Sequence, residues 1–236
     1  METYKITLKS STAFFRNEVT CTSVQESLNC PPLSTIHGLI AAAYGEYRYD
    51  IDIGYFFEFQ HKCTDFELVM TENNSYKDRF KKYINDERFD RNDILRGCFG
   101  TVPVRREVLF NCRLVLYLSD KEIANSFKSP YYALALGRLE DLAFISEKPK
   151  KIEIVPVKEP IRFGKTIIPF SEGRNVPGRI TKLNVQISDS NPRKINKAGI
   201  YNIVDKFWEN IPLNFVLYYD PDEDLGIYFH KSSKDV

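Results

Sequence analysis

The chain has 236 residues, 43% of them hydrophobic, with 17 Phe, 14 Tyr and a net charge of +1. That apolar content excludes a disordered chain, and the near-neutral balance excludes nucleic-acid binding through bulk charge. The length suits one large domain or two small ones, and no run nears the ~20 apolar residues that span a bilayer.

In METYKITLKS, Tyr4, Ile6 and Leu8 alternate with Lys5, Thr7 and Lys9. This predicts a half-buried first strand. The segment also lacks the apolar centre of a signal peptide, so the expected location is cytoplasmic. Phe14, Phe15 and Arg16 follow in a polar stretch.

CPPLSTIHGLIAAAYGE, residues 30–46, comes next. Pro31 and Pro32 form a rigid lead-in, and Ser34 is the natural N-cap of a helix over 35–45. Ile36, Leu39, Ile40 and Ala43 share its apolar face. His37 takes the place of the Glu or Gln of a capping box. Gly38 strips the first turn of side chain. Either a neighbouring sheet packs closely there, or a phosphate approaches the helix N-terminus, where N–H groups lack partners.

IDIGYFFEFQ (51–60) and TDFELVMT (64–71) predict a hairpin. DERFDRNDILRGCFGTVPVRRE predicts a protruding loop or ribbon. Residues 107–118 predict a strand, Ser119 caps a short helix to about Phe127, and LGRLEDLAFI closes with another strand. The order approximates a β-α-β-β-α-β ferredoxin-like unit. SEKPKK (146–151) marks a boundary. Strand-like runs follow at 152–157, 160–169, 179–188, 213–219 and 226–230, with a helix at 197–208.

The five cysteines form no C-x-x-C, which argues against a disulfide scaffold and against a cysteine zinc site. His61 and Cys63 alone are not a metal site. GRNVPGRI has P-loop glycine spacing, but Arg179 and Ile180 replace the lysine and the hydroxyl. DPDEDLG fails as a calcium loop, because Leu225 and Lys231 occupy the glycine and glutamate positions. No cofactor is expected. Local charge is uneven: residues 43–75 carry seven acids and two Lys/Arg, and residues 160–182 five bases and one acid.

The order Phe-x-Arg after the first strand, PPLSTIHGLIAAAYGE, RREVLFN and YYALALGRLEDLAFI resembles the fifth CRISPR-associated (Cas) protein family of type I systems, in its I-B-like form. The match covers about residues 1–146. The resemblance implies an α+β fold. A ferredoxin-like, RNA-recognition-type (RAMP) domain at 1–148 would carry a β-hairpin thumb at about 86–106, with a smaller β-rich region at 149–236. It implies a non-catalytic subunit of the Cascade complex in antiviral defence. That subunit holds the 5′ handle of the CRISPR RNA, caps the backbone filament, adjoins the backbone and large subunits, and meets target DNA only indirectly. One branch of the family cuts precursor RNA without metal, using tyrosine, lysine and histidine. Here no Lys-His pair stands near the thumb segment.

Two sets of residues are expected at RNA. The first is the turn Ser34, Thr35, His37 and Gly38. The second is the thumb with Arg88, Arg91, Arg96, Arg105 and Arg106, where Phe89 and Phe99 would wedge against a base. Arginine suits this role because its planar fork pairs with phosphate and stacks on bases. Arg16 either reaches the handle or pairs with an acid. Arg138, beside Gly137, either contacts RNA or pairs with Glu140 or Asp141. The stretch Arg162, Lys165, Arg174, Arg179 and Lys182 faces nucleic acid or the large subunit. The alternatives are a metal-independent endoribonuclease using Tyr44 or Tyr47, Lys81 or Lys82, and His37, and a purely protein-binding structural subunit.

Overall fold

The computed structural model describes residues 1–20, 23–72, 99–158, 161–209, 212 and 214–232. Arg88, Phe89, Arg91 and Arg96, with Lys81 and Lys82, lie outside the described residues, as does the side chain of Phe99. The chain forms two compact units. One comprises Met1–Phe15, Ser27–Cys63 and Val108–Val236, the other Arg16–Glu26 and Thr64–Glu107.

In the larger unit, β1 (Glu2–Ala13) leads to α1 (Leu33–Tyr44) and β3 (Ile53–Glu58); β2 (Val24–Gln25) belongs to the smaller unit. The strands β4 (His61–Glu72) and β5 (Phe99–Leu118) come next, then α2 (Lys121–Ser126) and β6 (Ala143–Glu153). The sheet order is β6-β1-β5-β3, and every pair along it is antiparallel. With the connections β1-α1-β3-β5-α2-β6, this is the expected ferredoxin-like arrangement. A short strand, β13 (Phe229–His230), pairs β3 on its outer side.

The period-two pattern of the strands sorts their side chains by face. Ile6, Leu8, Tyr55, Phe57, Leu114 and Leu116 pack with Ile36, Leu39, Ile40 and Phe127 from the helical side. Gly45 ends α1 at φ 104, a conformation that favours glycine, and its N–H donates to Ala41 O at 2.7 Å.

The remaining strands are β7 (Val155–Val157), β8 (Phe163–Pro169), β9 (Arg179–Ile187), β10 (Ile195–Trp208), β11 (Leu217–Asp220) and β12 (Leu225–Ile227). They form a second sheet in the order β7-β11-β12-β8-β10-β9. Leu225, Ile227 and Phe229 pack on Phe56, Val115 and Tyr117, covering the face of the first sheet opposite its helices.

Several details differ from the sequence expectations. Asp120, not Ser119, caps α2, its side chain accepting from Ile123 N–H at 2.9 Å. Residues 51–60 and 64–71 do not pair with each other, since β3 and β4 both pair β5. Their link, Phe59-Gln60, holds no turn-forming residue, and Gln60 N–H donates to Phe110 O at 3.0 Å. Residues 197–208 are strand, not helix. Tyr201 and Ile203 enter one core cluster and Val204 another, so both faces are buried and the apolar run imitates helical spacing. The helix starts at Leu33, so Ser34 is not its cap; Pro32 holds that position with no side-chain cap. Finally, 146–151 lies inside β6.

In the smaller unit β4 pairs β5, and β2 pairs β5 in parallel at Arg105 and Arg106. The segment before β2 is closed by Asn17, whose N–H donates to Glu26 O at 3.2 Å.

Candidate nucleic-acid interface

The ribbon of β4 and β5 holds the main candidate. Successive side chains on a strand point to opposite faces. Phe66 and Leu68 therefore share one face, where they are 67% and 75% exposed. Glu67 points the other way and meets Arg106 at 3.2 Å, with Arg106 buried. Arg105, the next residue along β5, is exposed and sets its guanidinium 5.2 Å from the Phe66 ring centre. One face is thus closed by an ion pair and the other presents an aromatic ring, a leucine and a cation. Such a surface stacks bases and pairs phosphate.

Of the two arginines expected at RNA here, Arg105 is on the open face and Arg106 is committed to Glu67. The partner strand of the ribbon is β4, which lies before the segment 86–106 expected to form a thumb, most of which is outside the described residues. Phe66 and Leu68 escaped the sequence reading because alternating TDFELVMT looks like a core strand.

The helix turn behaves differently. His37 is buried; its Nδ1 lies 3.2 Å from Arg48 O, and its ring packs on Tyr49 at 4.7 Å. Burial depresses its pKa to about 4, keeping it neutral. His37 is therefore a core residue, not an RNA contact. Ser34, Thr35 and Gly38 are half-buried, and a Cβ added at Gly38 would meet nothing within 4 Å. Close packing on a sheet thus does not account for Gly38.

LGRLED is a structural turn. Gly137 has φ 116, and a Cβ there would fall 1.9 Å from Phe14 O. Asp141 is fully buried and accepts from Arg138 N–H at 3.1 Å, Arg138 Nε at 2.9 Å, Arg138 Nη2 at 2.9 Å and Thr12 Oγ1 at 2.7 Å. These bonds, with the Arg138 charge, hold the Asp141 carboxyl below its usual range although burial alone would raise it. Arg138 takes the ion-pair alternative, and Gly137 serves chain packing rather than RNA. Arg16 is exposed, with no ion pair among the described residues.

The sheet face opposite the helices, an open platform in many RNA-recognition folds, is largely occupied. Lys5 pairs with Asp220 and Glu223, and Arg113 with Glu58 and Glu223. The basic stretch expected at 162–182 does not act as one patch. Arg162 and Lys165 both approach the Phe207 ring, Lys165 also pairs Glu58, and Arg174 lies over Phe170. Arg179 and Lys182 are exposed on β9.

Among the described residues no three His, Cys, Asp or Glu side chains cluster to hold a metal ion. Nor is any helix among them long and apolar enough to cross a membrane.

The fold and ribbon together define an α+β chain of ferredoxin-like type with a β-rich extension. That architecture is shared with a chain of a "CRISPR RNA-guided surveillance complex", at TM-score 0.51 and 15% identity over 90% of this chain and 91% of the other. A CRISPR protein from Archaeoglobus fulgidus overlays at 0.45 and 13% identity, covering 98% and 100%. A chain of a Type III-B Cmr-beta complex bound to cognate target RNA and AMPPnP overlays at 0.49 and 13% identity, covering 89% and 86%. No family model matches the sequence, and no curated protein does.

Proposed function

We propose that this chain is a CRISPR RNA-binding, non-catalytic subunit of a type I Cascade complex. In this reading it holds the 5′ handle of the CRISPR RNA and caps the backbone filament, beside the backbone and large subunits. The observation that carries the reading is the exposed ribbon face of Phe66, Leu68 and Arg105. A planar ring beside a guanidinium suits single-stranded RNA, whose bases are free to stack and whose phosphates need a cation. The architecture shared with a chain of an RNA-guided CRISPR complex supports the same reading. A nuclease would need an accessible base and a cation at the developing charge; of the three histidines His37 and His230 are buried, and His61 is exposed on β4.

The test is incubation of the purified chain with labelled repeat RNA in EDTA. Retardation without cleavage is expected. Cleavage would replace this reading by a metal-independent endoribonuclease, and neither outcome by a protein-binding structural subunit.

A further inference from the structure

Between α2 and β6 the chain forms a loop that is tied at both ends. Tyr131 and Tyr132 N–H donate to Ala43 O at 3.0 Å and Ala42 O at 2.8 Å, anchoring it to the end of α1. The loop then meets β6, where Ala143 N–H donates to Leu134 O at 2.8 Å beside the Ala135–Leu142 bridge. Past Ala143 the two part, and a groove of about 900 Å³ opens between them.

Three aromatic rings line this groove and stay largely in solvent: Tyr131 is 69%, Tyr132 60% and Phe144 57% exposed. The two tyrosine rings meet edge to face at 4.7 Å. Lys128 and Lys148 also line it, and no carboxylate does. Lys148 forms no ion pair among the described residues. The backbone contributes as well. Ala143 donates its N–H away from β1, towards Leu134. Antiparallel strands alternate this direction residue by residue, so Ile145 also turns its N–H and C=O outward, into the groove.

We propose that this groove takes one unstacked base of single-stranded RNA. The aromatic rings stack it, the Ile145 N–H and C=O read its hydrogen-bonding edge, and Lys128 and Lys148 meet the flanking phosphates. The proposal rests on the RNA-binding reading above and adds a second site to it, in the larger unit. A peptide strand fits the edge less well. The β1–β6 register shifts just beyond Leu8–Ile145, and Lys148, Pro149, Lys150 and Lys151 follow. Lysine and proline are what strand edges use to refuse a new strand. A strand needs several outward rungs, whereas a base needs one donor, one acceptor and an aromatic face.

The test is titration of the ¹⁵N-labelled full chain with RNA octamers of A, U and C, and with a peptide alternating Asp and Val. At least one octamer is expected to shift the Ile145 amide signal. Tyr132→Ala with Phe144→Ala should lower its affinity roughly ten-fold or more, because stacking on the rings is lost. Both side chains are exposed, and the amide spectrum reports whether the variant still folds. RNA binding that is unchanged in the double variant overturns the groove but leaves the RNA-binding reading standing. A wild-type chain that binds no RNA overturns both. An Ile145 shift with the peptide and not with RNA replaces the base by an added strand.

Discussion

Lys5 Nζ lies 2.8 Å from Asp220 Oδ2, and the two side chains are 7% and 1% exposed. Tyr117 Oη donates to the same carboxylate oxygen at 2.6 Å. The pair joins β1 to the end of β11, and so fixes the second sheet over the face opposite the helices. Glu223 lies 2.9 Å from the same Nζ, so Lys5 keeps a partner without Asp220, whereas Asp220 loses its ion pair without Lys5. A buried charge left unpaired costs about 3–5 kcal/mol, and Lys5→Met should lose about that much in urea unfolding. Joint replacement by Lys5→Met and Asp220→Leu should recover much of it, since the buried carboxylate is then gone as well. A loss below about 1 kcal/mol for Lys5→Met would mean that the pair does not hold the sheets together.

The glycines of the two motifs should respond in opposite ways. Gly137→Ala forces a Cβ onto Phe14 O at φ 116 and should cost about 3 kcal/mol in thermal or urea unfolding. Gly38→Ala enters open space inside a helix and should add about 1 kcal/mol. The same Gly38 variant checks the helix turn. Unchanged affinity for repeat RNA would remove Ser34, Thr35 and Gly38 from the interface, and a fall would keep them there.

Stability should decline in mild acid. In the unfolded chain an imidazole takes its proton near pH 6.5, but burial delays this to about 4 for His37 and about 3 for His230. Within that window the unfolded state binds more protons, so stability rises with pH and is complete above about pH 6.5. The His37 contribution lost on acidification is on the order of 3 kcal/mol. Urea midpoints at pH 7 and pH 4.5 read this directly. In His230→Gln the difference between them should shrink. An equal difference would assign the acid sensitivity to other groups.

The ribbon face should act in binding rather than in folding. Phe66→Ala should weaken repeat-RNA binding roughly five-fold or more and leave the melting temperature unchanged, because the ring is exposed. Arg105→Ala should also flatten the salt dependence, by about 0.7 in the slope of log K against log salt for one phosphate lost. Fluorescence anisotropy over a salt series measures both. A Phe66 variant that binds as wild type would take the ribbon out of the interface.

Much of the fold was legible in the chain itself. Alternation marked β1, residues 107–118 read as a strand within what is β5, the spacing of Ile36, Leu39, Ile40 and Ala43 marked α1, and the element order gave the ferredoxin-like unit. These are local patterns, and each reflects which face of one element leaves water. The readings that failed depend on neighbours far along the chain. Tyr201, Ile203 and Val204 look helical because β10 is covered on both faces. Phe66 looks like core because no local pattern says that one face of the ribbon stays open.

The candidate site divides in the same way. Sequence determined that arginines and small residues gather in a few motifs, since composition and spacing are properties of the chain. Only the tertiary structure decided which of them are available. Arg138 is held by buried Asp141, Arg106 by Glu67 and His37 by the core, while Arg105 lies over Phe66 in solvent. The physical reason is that availability depends on burial and on which of several possible partners a charge meets. Arg138 takes a partner three residues along that a buried turn holds in place, whereas Arg106 takes one from another strand, a pairing set by strand order that no short stretch of sequence carries.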